Sequence, residues 1–219
     1  MPMPPPPDDL TALSLADVAR LAEERRRVLC AGAAGMRLSE RLREALELGH
    51  RASPELIGGD ALDEEADGHT PAAVLVAIVD RPAPTVILTL RPETMRKHPG
   101  QVSFPGGRID PGDDGPIAAA LREAQEEIGL PPALVEIIGI ADRYRTVTGF
   151  EVTPVLGIVP PGLALTPHPG EVAAVFEAPL DYILDPAHQH VRTAFWRGRE
   201  RTYYEIMWED RKIWGRRRR

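Results

Sequence analysis

Two spacings of apolar residues divide the chain into a helical first part and a strand-rich second part. Before Pro71, apolar residues recur every three or four positions, which is the spacing of amphipathic helices. One helix is predicted to open at Ser14, where Asp17 completes a start that resembles a capping box, and a second is predicted at 39–48. The two apolar stripes comprise Leu15, Val18, Leu21 and Ala22, and then Leu42, Ala45, Leu46 and Leu48.

Strands dominate from Pro71 onward, where apolar residues run continuously or alternate with polar ones. A single helix at 116–128 interrupts them, with Pro116 at its first position and Gly129 as its C-terminal cap. Strands that flank one or two helices without regular alternation are typical of an α+β fold, here a mixed α/β/α sandwich, and not of a doubly wound nucleotide-binding fold. The predicted strands are 72–79, 85–90, 135–140, 152–159, 172–177 and 202–208.

Shifts in composition predict four segments along the chain. Residues 1–12 form a proline-rich tail that we expect to be disordered, because proline blocks regular hydrogen bonding. Residues 13–68 form a helical N-terminal extension that ends in a linker rich in Asp, Glu and Gly at 58–68. Residues 69–215 form the main domain, and the four arginines at 216–219 form a basic tail that we expect to be solvated.

Charge and cysteine content narrow the class of protein. The 219-residue chain has a formal net charge of −7, which argues against a general nucleic-acid binder. Cys30 is the only cysteine, which suits a reducing compartment, and we expect it to be a buried thiol. The N-terminus lacks the pattern of a signal peptide, and the longest apolar run, 72–79, is far shorter than the roughly 20 residues that span a bilayer. We expect a soluble, cytoplasmic protein without nucleic-acid or membrane partners.

The helix at 116–128 has an apolar face and an acidic face. Glu123, Glu126 and Glu127 are predicted to lie together on the side opposite the core, with Glu123 and Glu127 one turn apart. Arg122 lies one turn before Glu126 and can pair with it, which would leave Glu123 and Glu127 without a protein cation. The core-facing stripe is predicted to be Ile117, Leu121, Ala124 and Ile128.

Two carboxylates without a cation suggest a metal site. Like charges one turn apart destabilise a helix by a few tenths of a kcal/mol, and a divalent ion such as Mg²⁺ or Mn²⁺ would remove the repulsion. The alternative for an isolated acidic stretch is a solvated helix face. The upstream pair Gly106-Gly107 favours the metal site, because two glycines after a strand allow the backbone to approach a ligand closely.

Together these motifs resemble the box of the Nudix hydrolases, G-x5-E-x7-R-E-U-x-E-E-x-G-U, where U is aliphatic or small. The sequence departs from that box in two ways. The span from Gly107 to Arg122 is one residue longer, and Asp replaces the first Glu: Asp113 keeps the spacing from Gly107, whereas Asp114 keeps the spacing to Arg122. The matching residues are Gly107, Arg122, Glu123, Ala124, Glu126, Glu127, Gly129 and Leu130.

The same departures are similar to the coenzyme A diphosphatase branch of the family, which also has an upstream signature, L-L-T-x-R-(S/A)-x3-R-x3-G-x3-F-P-G-G. Pro92 stands where that signature has Ser or Ala. The segment 146–154 also resembles this branch. Ile87 is a conservative change from the first Leu, and the matching upstream residues are Leu88, Thr89, Arg91, Arg96, Gly100 and Phe104 to Gly107.

The resemblance implies a Nudix fold and a metal-dependent hydrolase that splits coenzyme A into 4′-phosphopantetheine and adenosine 3′,5′-bisphosphate. Alternatives are a Nudix hydrolase of ADP-ribose or a dinucleoside polyphosphate, and a non-catalytic nucleotide-binding regulator. The oligomeric state stays open, with a homodimer among the alternatives. The predicted catalytic residues are Glu123, Glu126, Glu127 and Arg122, the predicted metal ligands are the same three glutamates, and the predicted substrate-binding residues are Arg91, Arg96, Gly106 and Gly107.

Aromatic residues near the predicted site have two interpretations. Tyr144 and Phe150 are either platforms on which an adenine ring stacks or residues of the core, and core packing is the more frequent use of such side chains. Lys97 and His98 add positive charge close to the predicted phosphate-binding arginines.

Overall fold

The computed structural model describes residues 20, 23–24, 26–29, 35–52, 58–59, 68–95, 98–146, 148–196 and 199–216. The described residues between 20 and 29 are helical. Several predictions concern residues outside these ranges: most of the first predicted helix with its apolar stripe, the thiol of Cys30, the proline-rich tail and most of the acidic linker. No helix in the described part of the chain is long and apolar enough to cross a membrane.

Besides the helical residues between 20 and 29, three α-helices and twelve strands can be assigned in the described residues. The helices are α1 (Leu38–Ala52), α2 (Gly115–Ile128) and α3 (Leu180–Leu184). The strands are β1 (Gly58–Gly59), β2 (Thr70–Val79), β3 (Thr85–Leu90), β4 (Val102–Ser103), β5 (Gly106–Arg108), β6 (Glu136–Ile140), β7 (Tyr144–Arg145), β8 (Phe150–Val159), β9 (Ala174–Pro179), β10 (His190–Trp196), β11 (Arg199–Trp208) and β12 (Arg211–Arg216).

The strand β2 is the centre of a mixed sheet formed by β1 to β9. It runs parallel to β8 along its whole length, from Thr70 opposite Phe150 to Val79 opposite Val159. At its start it pairs antiparallel with β5, and at its end it pairs antiparallel with β3. The strands β10, β11 and β12 form a separate antiparallel sheet.

Helices cover both faces of the mixed sheet, which confirms the predicted α/β/α sandwich. Alternate residues of β2, from Ala73 to Val79, pack against the apolar side of α2 in the largest core cluster. On the opposite face, Ile78 packs with Leu38 and Leu42 of α1 and with Leu180 of α3. The short length of α3 and the many small strands fit an α+β protein and not a doubly wound one.

Two predicted boundaries are wrong. Gly58–Gly59 were assigned to the linker, but they form β1 and pair in parallel with Tyr144–Arg145, so the extension contributes a strand to the sheet. Arg216 was assigned to the basic tail, but it ends β12 opposite Tyr203. Both errors have the same cause: glycines and arginines carry weak local signals, and pairing with a distant strand decides their structure.

Candidate active site

Glu127 is the most buried of the three helix glutamates, with 4% of its surface exposed. For this residue the structure excludes the alternative of a solvated helix face. The backbone N–H of Gly106 donates a hydrogen bond of 3.1 Å to Glu127 Oε2. Burial raises the pKa of Glu127 to about 7; the Gly106 hydrogen bond and Arg91 act in the opposite direction, whereas the charges of Glu123 and Glu171 raise the pKa further. Glu127 is thus a carboxyl group held out of water at the junction of α2 and β5.

Arg122 braces the other acidic residues of the site. It donates hydrogen bonds of 3.1 Å to Glu123 and 3.0 Å to Glu126. The predicted pair with Glu126 is confirmed, but the prediction that Glu123 has no protein cation is wrong. Arg122 also donates two bonds of 2.9 Å to Asp113 and one of 3.1 Å to the carbonyl oxygen of Arg108. One guanidinium therefore fixes the α2 acids relative to β5.

The pKa values of Asp113 and Glu123 shift in different directions, although Arg122 donates hydrogen bonds to both. Hydrogen bonds from Arg122 hold the pKa of Asp113 below the ordinary value of an aspartate. Burial raises the pKa of Glu123 despite the hydrogen bond from Arg122, and the charges of Glu126 and Glu171 raise it further. Glu126 is 58% exposed at its side chain, so it is the acid of the group most open to solvent. The charge repulsion is therefore concentrated on Glu123 and Glu127.

The two glycines of β5 let the backbone lie against these carboxylates. A Cβ atom at Gly107 would overlap the carboxyl group of Glu123. A Cβ atom at Gly106 would overlap the backbone of Ala73 and Val74, and Gly106 has a positive φ of 156°. The predicted close approach at Gly106-Gly107 is thus present in the fold, and no larger residue fits there without displacing Glu123 or β2.

The last turn of α2 is positioned by its own cap and by a loop. Gly129 adopts the left-handed conformation with φ 68°, as predicted for the C-terminal cap. The backbone N–H groups of Thr166 and His168 donate to the carbonyls of Ile128 and Glu127 at 2.9 and 2.8 Å. The loop that contains Thr166 and His168 is therefore tied to the end of α2.

Glu171 lies in that loop, and no motif in the sequence predicted it to be at the site. Its backbone N–H donates 3.0 Å to the carbonyl of His168, and its charge raises the pKa of both Glu123 and Glu127. Its only local signal is a carboxylate just before a predicted strand, which is common on protein surfaces. The proximity depends on the hydrogen bonds that join the loop to α2.

Arg91, which was predicted to bind phosphate, directly follows β3 and lies within electrostatic range of Glu127. Its Nε atom is buried and has no hydrogen-bond partner among the described residues. A guanidinium with an unused donor beside a carboxylate cluster is suited to an anionic group of a ligand. Arg96, the other predicted phosphate-binding arginine, lies outside the described residues.

The donor chemistry of the site fits a divalent cation. Glu123, Glu127 and Glu171 supply carboxylate oxygens, the ligands that Mg²⁺ and Mn²⁺ prefer, and their mutual repulsion would be relieved by such an ion. Within the described ranges, no three His, Cys, Asp or Glu side chains converge closely enough to hold a metal. Arg122 and the Gly106 N–H hold Glu123 and Glu127 through hydrogen bonds instead. The residues therefore fit the ion by the chemistry of their donors.

A comparison with known protein families matches residues 69–211 to the NUDIX domain. The chain belongs to the Nudix hydrolase superfamily. Uncharacterized Nudix hydrolase NudL of Escherichia coli strain K12 is 45% identical over 154 residues, which is 70% of this chain and 80% of NudL. As a Nudix hydrolase, the chain acts on pyrophosphate bonds. Nudix hydrolases generally use divalent metal ions such as Mg²⁺ or Mn²⁺.

Solved structures of Nudix proteins have lower sequence identity to the chain than NudL has. RenU of M. smegmatis has a TM-score of 0.46 and 24% identity, covering 53% of this chain and 74% of RenU. The C. elegans Ap4A hydrolase binary complex has a TM-score of 0.44 and 20% identity, covering 50% of this chain and 80% of that protein. At these scores, the similarities support no conclusion about the substrate of this chain.

Proposed function

We propose that this Nudix hydrolase splits the diphosphate of coenzyme A or its derivatives into 4′-phosphopantetheine and adenosine 3′,5′-bisphosphate, with Mg²⁺ or Mn²⁺. The observation that carries the proposal is the position of the upstream signature against the glutamate helix. Arg91 lies within electrostatic range of Glu127, and Gly106-Gly107 lie against Glu127 and Glu123. The segment that resembles the coenzyme A branch thus forms part of the same site as the Nudix helix.

In this proposal Glu123 and Glu127 hold the metal, and Glu126 either adds a ligand or orients water. When bound, the ion would neutralise the charge of the diphosphate and make a water molecule more acidic. Arg122 does not contact the substrate; it positions Glu123 and Glu126 through the hydrogen bonds described above. Glu171 adds a further carboxylate at the same place.

Phosphate binding is assigned to Arg91 and to the backbone of the two glycines. Arg91 can donate to a phosphate oxygen through its guanidinium, whose buried Nε has no hydrogen-bond partner among the described residues, and arginine suits this contact because its donors form a rigid planar fork. The backbone at Gly106-Gly107 has no side chain in the way of a ligand. Arg96 stays a predicted contact of the same kind.

Two other functions must be distinguished by experiment from hydrolysis of coenzyme A. Hydrolysis of ADP-ribose or a dinucleoside polyphosphate would use the same helix with another substrate. A non-catalytic regulator is disfavoured, because Arg122 and all three helix glutamates are retained and joined in one network. A cytoplasmic location and a homodimer also stay predictions, and light scattering of the purified protein tests the latter.

The deciding experiment incubates the purified chain with coenzyme A, ADP-ribose and a dinucleoside polyphosphate, and identifies the products by chromatography. We expect coenzyme A to give the two products named above at the highest kcat/KM. EDTA should stop the reaction, and added Mg²⁺ or Mn²⁺ should restore it. Turnover of ADP-ribose without turnover of coenzyme A would reject the substrate, and turnover in EDTA would reject the metal.

A further inference from the structure

Arg108 is a guanidinium next to the site that has no acidic partner in the described part of the chain. It is exposed and directly follows Gly107, and its contact within that part is with the ring of Phe150, 5.7 Å from guanidinium carbon to ring centre. Two other arginines differ from Arg108 because they have an acidic partner next to Phe150. Arg143 and Arg145 both pair with Glu151 at 2.9 Å. In a chain with a net charge of −7, an unpaired arginine beside an aromatic ring is available for a ligand.

Strand register places Arg108 and Phe150 on the sheet face opposite α2. Arg108 lies opposite Ala72 of β2, and Phe150 lies opposite Thr70, two residues earlier on the same strand. Residues two apart on a strand share a face, and Ala73, which alternates with them, packs on the α2 side. Glu123 and Glu127 on α2 therefore lie on one side of β5, whereas Arg108 and Phe150 lie on the other.

The edge of β5 connects the two sides. Its ladder partner is β2 alone among the described strands, and on its other edge the Gly106 N–H and the Arg108 carbonyl bond to side chains of α2. The carbonyl of Arg108 accepts a hydrogen bond from Arg122, which ties this edge to the acidic network. A ligand whose diphosphate lies at Gly107 is therefore one residue away from Arg108 along β5, and the Arg108 side chain lies on the other face.

The backbone at Phe150 is fixed before any ligand binds. Its N–H donates 3.0 Å to the hydroxyl of Thr146, and its carbonyl accepts a bond of 2.8 Å from the Thr146 N–H. Gly149, with φ 86°, makes the tight turn between them. The half-buried ring is thus held in place under the Arg108 guanidinium.

We infer that Arg108 and Phe150 form the nucleobase subsite of this enzyme, where a purine stacks on the guanidinium and the ring. The inference rests on the proposed function only in so far as the substrate is a nucleoside diphosphate compound. It identifies where the nucleobase of that substrate binds. Stacking of a flat base with a guanidinium and an aromatic ring does not require directed hydrogen bonds. In the proposed function, the diphosphate is bound by Arg91, which lies within electrostatic range of Glu127.

The test measures binding of adenosine 5′-monophosphate and of ribose 5-phosphate, which lacks the base, by ligand-observed NMR on the full chain. We expect the wild type to bind the adenine compound about 10-fold more tightly. Arg108→Ala and Phe150→Leu should both remove that preference while leaving ribose 5-phosphate binding unchanged. Phe150→Trp, which keeps an aromatic face, should retain the preference, as should the control Arg143→Ala.

The outcome is independent of which diphosphate the enzyme hydrolyses. Equal binding of the two probes by the wild type, or an unchanged preference in both Arg108→Ala and Phe150→Leu, would overturn the subsite. Loss of the preference in a chain that hydrolyses ADP-ribose and not coenzyme A would support the subsite and reject the proposed substrate. Circular dichroism and thermal unfolding of Phe150→Leu separate loss of stacking from loss of fold, and Arg108→Ala, at an exposed side chain, tests the subsite without disturbing the core.

Discussion

Arg122 donates two hydrogen bonds of 2.9 Å to the carboxylate of Asp113, whose side chain is 7% exposed. The adjacent Asp114 is exposed at the start of α2 and makes no side-chain capping bond. The extra residue between Gly107 and Arg122 therefore lies in the loop before the helix, and Asp113 takes the first acidic position of the box. Of the two aspartates between which spacing left the choice open, Asp113 is thus the one that pairs with Arg122.

Replacing Asp113 with Asn should weaken the site without unfolding it. The variant loses one acceptor and the charge that holds Arg122, so Arg122 positions Glu123 and Glu126 less well. We expect kcat to fall about 10-fold and the Mg²⁺ concentration for half-maximal activity to rise, with little change in KM. Asp114→Asn is the matched control and should stay within about twofold of wild type. Equal effects of the two substitutions would contradict the assignment.

Adding one methyl group at Gly107 should displace Glu123. The new Cβ atom overlaps the carboxyl group of Glu123, which lies at the end of a flexible side chain, so the side chain moves and the fold stays intact. We expect Gly107→Ala to lower kcat/KM at least about 10-fold with a near-normal Tm. At Gly112 a Cβ atom meets nothing within 4 Å, so Gly112→Ala should be nearly neutral. A steep loss of Tm in Gly107→Ala would instead indicate a structural role.

Glu127→Gln should abolish turnover and leave the fold intact. The substitution keeps the shape and an acceptor for the Gly106 N–H, but it removes the buried carboxylate that we assign to the metal. Activity should fall by more than about 100-fold, the upper range for residues that only support a ligand. Glu126→Gln, at a side chain that is 58% exposed, should cost less. Near-normal activity of Glu127→Gln would remove this residue from the metal site.

Glu171 is predicted to contribute to metal binding or water orientation although it is far from α2 in the sequence. Neutralising it should raise the metal requirement and lower kcat about 10-fold, because one carboxylate of the cluster is lost. Activity measured against Mg²⁺ concentration separates the two effects. Glu177→Gln, an exposed glutamate of β9 that pairs with Arg81, is the control. If both variants behave like wild type, Glu171 has no part in the reaction.

The ion pairs of Glu151 should make stability depend on pH. Hydrogen bonds and charges of Arg145 and Arg143 hold the pKa of Glu151 below its usual range. A depressed folded-state pKa stabilises the protein above the unfolded pKa of about 4.3 and loses that contribution as pH falls through the folded value. Glu151→Gln should therefore cost about 0.5–1 kcal/mol at pH 7 and almost nothing near pH 3. Urea unfolding at the two pH values measures the difference, and a constant difference would contradict it.

Local sequence patterns were sufficient for the main elements. The helix predicted at 116–128 and the strand at 85–90 correspond to α2 and β3, and Gly129 ends α2 as expected. These features depend on neighbours within a few residues: apolar spacing determines which side of an element is buried, and a glycine that tolerates a positive φ ends a helix. The acidic box and the upstream signature could be found for the same reason.

Only the tertiary structure decided how those residues meet. Helical spacing placed Glu127 on the side of α2 opposite the apolar stripe, but only the fold shows that β5 covers it, through a hydrogen bond from Gly106 that joins residues 21 positions apart. Glu171 reaches the site through a loop bonded to the end of α2, and Arg108 meets Phe150 because both strands flank β2. Burial and charge proximity are properties of the packed chain, because they depend on segments that are distant in sequence. The glutamate helix thus determined the reaction class, and its surroundings in space decide which carboxylates are buried and where a substrate can lie.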